Sequence, residues 1–240
     1  ALLFNAAEGS VFQNQQLRQA LAGIARENAD VPSSGLYAAA KGLVPEGLTV
    51  DGLDYRETAG DPLPTIPEPK ALYLAARQGM ATSDFSGVTL LLPKNAGLGE
   101  LADQINSAWQ KECSLFFSVE EVEQDEFDAR IAAGKYTIAL APIRAEGGSV
   151  YQMLQQFTAE GGSLTGYADT VYADRLALSA QQTGKDRCAL LAQCERQLLE
   201  SCTVVPLMAQ QKRLLLANGV RDLVFDPFFP VLDLTWAKMS

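Results

Sequence analysis

Apolar residues recur along the chain with two different spacings, and these spacings alternate in its centre. A continuous apolar run of strand length occupies 87–93, and two further segments of strand length lie at 114–119 and 135–142. Amphipathic segments with helical spacing separate them, at 98–112 and 125–133. Uninterrupted apolar runs are typical of strands that are covered on both faces. The order strand, helix, strand, helix, strand therefore predicts an α/β sheet with crossover helices.

The same helical spacing occurs on both sides of this central part. It predicts further helices at 15–29, 70–80, 150–158, 171–182 and 186–200. The segment 30–68 is rich in Gly and Pro, so we expect an irregular region that is functional or packed against another part of the protein. Two apolar runs near the end, at 204–208 and 213–218, have the length of short strands.

Charge and composition exclude several classes of function. The formal net charge of −10 repels phosphate backbones, so we expect no nucleic-acid partner. The chain contains no histidine, which excludes a Ser-His-Asp triad, a His-ligated zinc site and an imidazole general base. No glycine pattern matches a nucleotide-binding loop, so the sequence predicts neither a cofactor nor a metal site.

Four cysteines are present, and none of them forms a CxxC pair. They are Cys113, Cys188, Cys194 and Cys202. We expect small buried apolar side chains, and a disulfide involving Cys202 stays open as the alternative.

Carboxylates cluster just before the predicted helix at 125–133. The cluster comprises Glu120, Glu121, Glu123, Asp125, Glu126 and Asp128. It lacks the spacing and the central Gly of a calcium-binding loop. Negative charge favours the amino terminus of a helix, so we expect a solvated, helix-starting face.

Several local motifs follow one another in an order that is informative. They include LRQALAGIA at 17–25, LVPEG at 43–47, GKYTIALAPI at 134–143, GYADTVYADRLALSA at 166–180 and CERQLLESCTVVPLM at 194–208. In this order, and over nearly the whole chain, the sequence resembles the family-5 extracellular solute-binding proteins. These proteins are the dipeptide, oligopeptide and nickel receptors of ABC importers.

The resemblance covers the carboxy-terminal lobe of these two-lobed receptors. It implies that 1–240 forms a single α/β lobe of the periplasmic-binding-protein-like type (class II), with a mixed sheet flanked by helices. The amino-terminal lobe would precede it in a longer parent chain. The implied function is not enzymatic: peptides are captured in the cleft between the lobes, which close by a hinge motion. The implied partners are a peptide ligand, the membrane permease subunits of the importer and the amino-terminal lobe.

The resemblance also suggests ligand-binding residues. Glu146 aligns with an aspartate that pairs with the α-ammonium group of the peptide, although Pro142–Ile143 replaces the family's Gly-Trp just before it. Arg144 follows the same strand and could bind a ligand carboxylate. Tyr167 and Asp169 match a segment near the cleft. The implied location is extracytoplasmic, in the periplasm or at the cell surface, and a lipid anchor on the parent stays open.

Two other functions fit the same sequence. A ligand-sensing domain of a bacterial regulator would have the same fold, but it would be fused to a DNA-binding or signalling module. A carboxylate-based hydrolase would need two acidic side chains in one pocket, one of them with a raised pKa. A nickel ligand would be held through a chelate, since the chain has no imidazole to bind the metal directly.

Overall fold

The computed structural model gives the fold of most of the chain. It describes residues 1–240 except 33–34, 79, 81–84, 145–147, 212–215, 223, 226–231, 234, 236 and 240. Within these limits the helices are α1 (Gln15–Asn28), α2 (Tyr55–Ala59), α3 (Pro69–Arg77), α4 (Gly99–Cys113), α5 (Gln124–Ala132), α6 (Val150–Gln155), α7 (Thr170–Ser179) and α8 (Gly184–Glu200). Among the described residues, no helix is both long and apolar enough to cross a bilayer.

The described strands are short, and the two that reach five residues lie in the central third of the chain. They are β1 (Leu2–Phe4), β2 (Tyr37–Ala39), β3 (Thr49–Val50), β4 (Leu53–Asp54), β5 (Thr89–Pro93), β6 (Ser118–Val122), β7 (Ile138–Leu140), β8 (Val204–Val205), β9 (Met208–Gln210), β10 (Val220–Arg221), β11 (Val224–Phe225), β12 (Leu232–Asp233) and β13 (Lys238–Met239).

The central sheet has five strands in the order β6, β5, β7, β1, β8. Strand β5 lies parallel to β6 and to β7. Strand β1 lies antiparallel to β7 on one side and to β8 on the other. The sheet is therefore mixed and flanked by helices, which confirms the predicted α/β fold class.

Side chains on the two faces of the sheet enter two separate hydrophobic clusters. On β5, Leu90 and Leu92 belong to the cluster that includes α1 and α4. Leu91, between them, belongs to the cluster that includes α5 and α8. Alternate residues of a strand point to opposite faces, so a strand covered on both sides must be apolar at every position. This explains why the run at 87–93 shows no alternation.

Helix α4 is held against α1 by its tryptophan. The Trp109 side chain is fully buried and its Nε1 donates a hydrogen bond of 2.9 Å to the Leu21 carbonyl in α1. The ring also packs edge-on against Phe117, with 5.5 Å between centroids. Trp109 is therefore a core residue, as the apolar stripe of its helix predicted.

The position of one central strand differs from the prediction. The sequence predicted a strand at 114–119, whereas β6 begins at Ser118 and continues to Val122. Strand β6 forms one edge of the sheet, where one side meets solvent and polar residues such as Glu121 are tolerated. The apolar run before it is a loop in which Phe117 is buried and Phe116 is exposed.

The segment 30–68 was also predicted too coarsely. It contains β2, which pairs with β9, the small ribbon of β3 and β4, and the short helix α2. The predicted strand at 213–218 has its first residues outside the described part of the chain. The four cysteines are buried and unpaired, so the expected buried thiols are confirmed and the disulfide alternative is wrong.

The acidic cluster forms a solvated helix start, as predicted. Asp125 and Glu126 lie in the first turn of α5, where the helix dipole favours negative charge. Arg130, one turn later, donates to Glu126 over 2.6 Å and to Glu120 over 2.7 Å. Within the described ranges, no group of three or more acidic or cysteine side chains is placed to hold a metal ion.

Candidate functional site at the carboxyl edge of the sheet

The topology of the sheet points to the edge where its parallel strands end. From β5 the chain continues into α4, on the face with α1, whereas β6 continues into α5, on the opposite face. From β7 it continues into α6, whose Met153 and Leu154 lie on the same face as α5. Where neighbouring parallel strands lead to opposite faces, a crevice opens outside their carboxyl ends, and α/β proteins bind ligands there. We call this region the carboxyl edge.

Two loops form the carboxyl edge. The first, after β5, runs from Lys94 to Leu98. The second, after β7, runs from Ala141 to Ser149, and its residues 145–147 are outside the described part of the chain. The predicted ligand residue Glu146 therefore cannot be placed, although both ends of its loop belong to this edge.

Arg144 lies in the second loop with an exposed side chain. Its backbone carbonyl accepts a hydrogen bond of 3.1 Å from Gln156 Nε2, just beyond the end of α6. The loop is thus fastened to the helix through its backbone, and the guanidinium group stays at the surface. This placement is compatible with binding of an anionic group, and the ligand role of Arg144 stays a prediction.

The first loop contributes a cation that the sequence analysis did not single out. Lys94 Nζ lies 2.8 Å from Glu123 Oε1, at the start of α5, and this hydrogen bond raises the pKa of the lysine. Its backbone amide donates to the Val122 carbonyl, which ties the ends of β5 and β6 together. The signal in the sequence was position alone: Lys94 is the first residue after the apolar run of β5.

Backbone donors are also available at this edge. The residue before α4, Leu98, provides no side-chain acceptor for the first amides of the helix. By contrast, Ser149 caps α6, since its Oγ accepts a hydrogen bond of 3.3 Å from the Gln152 amide. The first amides of a helix carry partial positive charge and favour anionic or carbonyl groups. The carboxyl edge thus combines a helix start that has no side-chain cap with side chains of both charges.

Tyr167 and Asp169 are close together, but they lie away from Arg144. The Tyr167 hydroxyl donates a hydrogen bond of 2.9 Å to Asp169 Oδ2. The segment before them is anchored beside the opposite end of β7: the Thr165 carbonyl accepts from the Ala6 amide over 2.8 Å. Ala6 follows β1, whose last residue pairs with the first residue of β7. The predicted site residues that the structure describes therefore fall into two groups, which lie at opposite ends of strand β7.

The polar atoms of the Tyr167–Asp169 pair have partners within the protein. Asp169 is the N-cap of α7 and accepts a hydrogen bond of 3.0 Å from the Tyr172 amide through Oδ1. Its Oδ2 also accepts a hydrogen bond of 2.9 Å from Gln197 Nε2. Burial would raise the pKa of this carboxyl, but the hydrogen bonds outweigh it and lower the pKa. Burial raises the pKa of Tyr167.

A buried ion pair joins α2 to α8, and the sequence analysis did not identify it. Glu195 of α8 is fully buried, and its Oε1 lies 2.9 Å from Arg56 Nη2. The Tyr55 hydroxyl donates to its other oxygen over 3.0 Å, and the Val44 amide donates to Oε1 over 2.9 Å. This network fastens the segment around Val44 and α2 to α8. Its signal was a glutamate on the apolar face of α8, one turn after Leu191.

Comparison with known proteins depends on the fold, because sequence comparison finds no relatives. No protein-family model matches the chain, and no curated protein matches it either. Several solved structures do match, at low sequence identity and over the whole chain.

Three of these structures illustrate the likeness. The pheromone receptor PrgZ, described with its mode of peptide binding, has a TM-score of 0.76 and 16% identity over 99% of this chain. The substrate-binding domain of an oligopeptide ABC transporter from Bacillus anthracis has a TM-score of 0.72 and 17% identity over 100% of it. Listeria monocytogenes OppA bound to peptide has a TM-score of 0.69 and 18% identity over 100% of it.

The match does not extend over the whole of these proteins. The chain covers 47% of PrgZ, 49% of the Bacillus anthracis protein and 48% of the Listeria monocytogenes protein. It therefore spans about half the length of each of these three proteins. The chain thus has the fold of one half of the substrate-binding proteins of peptide ABC transporters, and the resemblance seen in its sequence is confirmed at the level of the fold.

Proposed function

We propose that this chain is the carboxy-terminal lobe of an extracytoplasmic peptide receptor that serves an ABC importer. The supporting observation is that it matches peptide-binding proteins of such transporters over its full length and over half of theirs. The proposal treats 1–240 as a single lobe, with the other lobe elsewhere in the parent chain. Its role is binding rather than catalysis.

The ligand would lie against the carboxyl edge. A peptide offers backbone amides and carbonyls at every residue, together with an ammonium and a carboxylate group at its ends. The first backbone amides of α4, which have no side-chain cap, suit a carbonyl or carboxylate group, and the Arg144 guanidinium suits a carboxylate. In the same loop, we propose that Glu146 binds the α-ammonium group. Recognition through common peptide groups would tolerate many side chains.

The Tyr167–Asp169 pair has a different role in this proposal. Both side chains are hydrogen-bonded at the start of α7, beside the other edge of the sheet. This geometry favours a structural role, with an effect on ligand affinity only through the fold. Their predicted contact with the ligand is directly testable against that of Arg144 and Glu146.

The test is a calorimetric titration of the full parent protein with a short synthetic peptide of mixed sequence. Loss of a charge-assisted hydrogen bond should weaken binding at least tenfold, which corresponds to about 1.5 kcal/mol or more. We expect this for Arg144→Ala and for Glu146→Gln. Tyr167→Phe and Asp169→Asn serve as matched polar substitutions at the opposite edge and should change the affinity by less than about threefold.

Other outcomes would redirect the proposal. Unchanged affinity in both carboxyl-edge variants would remove the assigned contacts. A parent that binds no peptide and carries a DNA-binding segment would support the ligand-sensing alternative instead. The isolated chain should bind the same peptide far more weakly than the parent, because half of the contacts would belong to the other lobe.

A further inference from the structure

The outer side of the helical layer formed by α1, α3 and α4 carries an open groove. Its volume is about 420 Å³, and its lining is mainly apolar. We call it the α1–α3 groove. Helix α3 lies close to α1 there: a Cβ added to Gly23 would be 2.8 Å from Pro69 Cβ. The two helices pack closely at this point because Gly23 has no side chain and leaves room for Pro69.

Helix α3 presents an apolar stripe to solvent along this groove. The inner side of α3 packs against the core through Tyr73 and Ala76, which are buried. Its outer side is formed by Ala71, Leu74 and Ala75, which are all exposed, and Leu74 is 59% exposed. Residues spaced in this way share one face of a helix. The protein's own core therefore leaves this second apolar stripe uncovered.

Acidic side chains border the groove. Lys70 is neutralised by Glu112, with 3.2 Å between Nζ and Oε2. Glu27 and Glu68 also line the groove, and neither forms an ion pair within the described part of the chain. An aliphatic floor with two uncompensated carboxylates at its rim is complementary to an aliphatic side chain flanked by cations.

We propose that the α1–α3 groove is a docking site for an amphipathic helix of a partner protein. The helix would place a leucine-like side chain beside Leu74 and lysine or arginine side chains against Glu27 and Glu68, in the helix-in-groove mode. A second copy of this chain is a poor occupant, because its net charge of −10 opposes the acidic rim. Nucleic acid and anionic lipid are disfavoured for the same reason.

The groove lies apart from the carboxyl edge. Glu112, at its border, is in the last turn of α4, whereas the carboxyl edge lies at the first turn of that helix. A helix of 15 residues is about 22 Å long. A partner could therefore dock while a ligand occupies the other site, so this inference goes beyond the proposed peptide-binding function and does not depend on it.

The experiment uses the full chain, labelled with ¹⁵N, and two synthetic helical peptides of about 18 residues. Both peptides carry leucine on one face; one has lysine and the other glutamate beside that face. Addition of the lysine peptide should shift amide resonances around Ile24 and Leu74, and about 0.5 M salt should weaken its binding. The glutamate peptide should bind at least about fivefold more weakly.

Substitutions in the groove test whether the peptide binds there. The double variant Glu27→Gln with Glu68→Gln should weaken binding of the lysine peptide about fivefold. Leu74→Glu should weaken binding of this peptide at least as much, because the apolar contact is lost. Leu178→Glu is the matched control, since this leucine is 44% exposed on α7, away from the groove. The inference is overturned by resonance shifts scattered over the surface, by equal binding of the two peptides, or by equal effects of the two leucine substitutions. Thermal unfolding of each variant checks that the exposed substitutions leave the fold intact.

Discussion

Arg56 and Glu195 form an ion pair inside the protein, with 2.9 Å between Arg56 Nη2 and Glu195 Oε1 and with the glutamate side chain completely buried. The two residues come from distant parts of the chain, and the pair joins α2 to the middle of α8. Burial makes this contact important for stability, because loss of one partner leaves the other charge unpaired in the interior. This costs much more unfolding free energy than the loss of an ion pair at the surface.

Removal of one partner should therefore be strongly destabilising. Glu195→Ala removes the acceptor of the Tyr55 hydroxyl and of the Val44 amide, and it leaves the Arg56 guanidinium without its counter-charge. We expect the free energy of unfolding to fall by about 3–5 kcal/mol, measured by urea denaturation. The control is Glu46→Ala, which breaks an exposed pair with Lys41 and should cost less than about 1 kcal/mol. Similar losses in the two variants would contradict the importance of burial.

Gly42 offers an independent test of the same network, because a side chain there would collide with the pair. A Cβ at Gly42 would lie 2.7 Å from Arg56 Nη2 and 2.7 Å from Glu195 Oε1. We expect Gly42→Ala to lower the free energy of unfolding by about 1–3 kcal/mol. Gly99→Ala is the matched control, since its Cβ would meet only Glu121 Oε1, at 3.9 Å. If Gly42→Ala unfolds at the same urea concentration as the control, the packing described here is wrong.

The hydrogen bonds of Asp169 make part of the stability depend on pH. Its folded pKa is lowered, so the ionised carboxylate contributes stability that is present above the unfolded pKa of about 3.9. That contribution is lost as the pH falls through the folded pKa. The difference in unfolding free energy between the wild type and Asp169→Asn should thus shrink in acid. A series of urea titrations from neutral to acidic pH measures it, and a difference that is constant with pH would refute the assignment.

The cap formed by Asp169 can be separated from its charge. Asparagine can still accept a hydrogen bond from the Tyr172 amide, whereas alanine cannot. We expect Asp169→Ala to be less stable than Asp169→Asn by about 1 kcal/mol, because neither variant has a charge at this position and only the asparagine keeps an acceptor. Equal stability of the two variants would show that the cap hydrogen bond is unimportant.

The four thiols should be unreactive in the folded protein. Burial raises the pKa of Cys113 to about 11, of Cys194 to about 12 and of Cys202 to about 11, and it raises the pKa of Cys188 as well. The thiolate is the reactive form, so little reaction with an aromatic disulfide reagent is expected at pH about 8. All four should react in urea. The variant Lys41→Cys provides an exposed thiol as a positive control. Fewer than four reactive thiols in urea would reveal a disulfide instead.

The helices and the central parallel strands were predictable because their patterns are local. The stripe of α4 and the apolar run of β5 each follow directly from which residues must face a core. The short strand β1 gave no such signal, since the three residues Leu2–Phe4 become a strand only by pairing with β7 and β8. Strand β6 was misplaced because an edge strand tolerates polar residues, while the apolar Phe116 before it remains exposed.

The site was predictable to a smaller extent. Position after an apolar strand places both Arg144 and Lys94 at the carboxyl edge, and the ligand role of Arg144 stays a prediction. The motif around Tyr167 suggested a ligand contact, but motifs carry no information about which edge of the sheet a loop reaches. The Arg56–Glu195 pair could not be predicted, because its contact depends on tertiary structure alone. An apolar helical face interrupted by one glutamate was its only trace in the sequence.

The position of β1 between β7 and β8 also determines how early the central sheet can form during synthesis. Leu2 pairs with Leu140 on one side and with Val205 on the other, so β1 lies between two strands that are made much later. Closing such long loops costs chain entropy before any pairing rewards it, and proteins dominated by distant contacts fold slowly. During synthesis the apolar segment Leu2–Phe4 therefore lacks its first partner until residue 140 has been made and its second partner until residue 205 has been made. Over this interval the central strand of the sheet exposes backbone groups and apolar side chains that the finished fold covers on both sides.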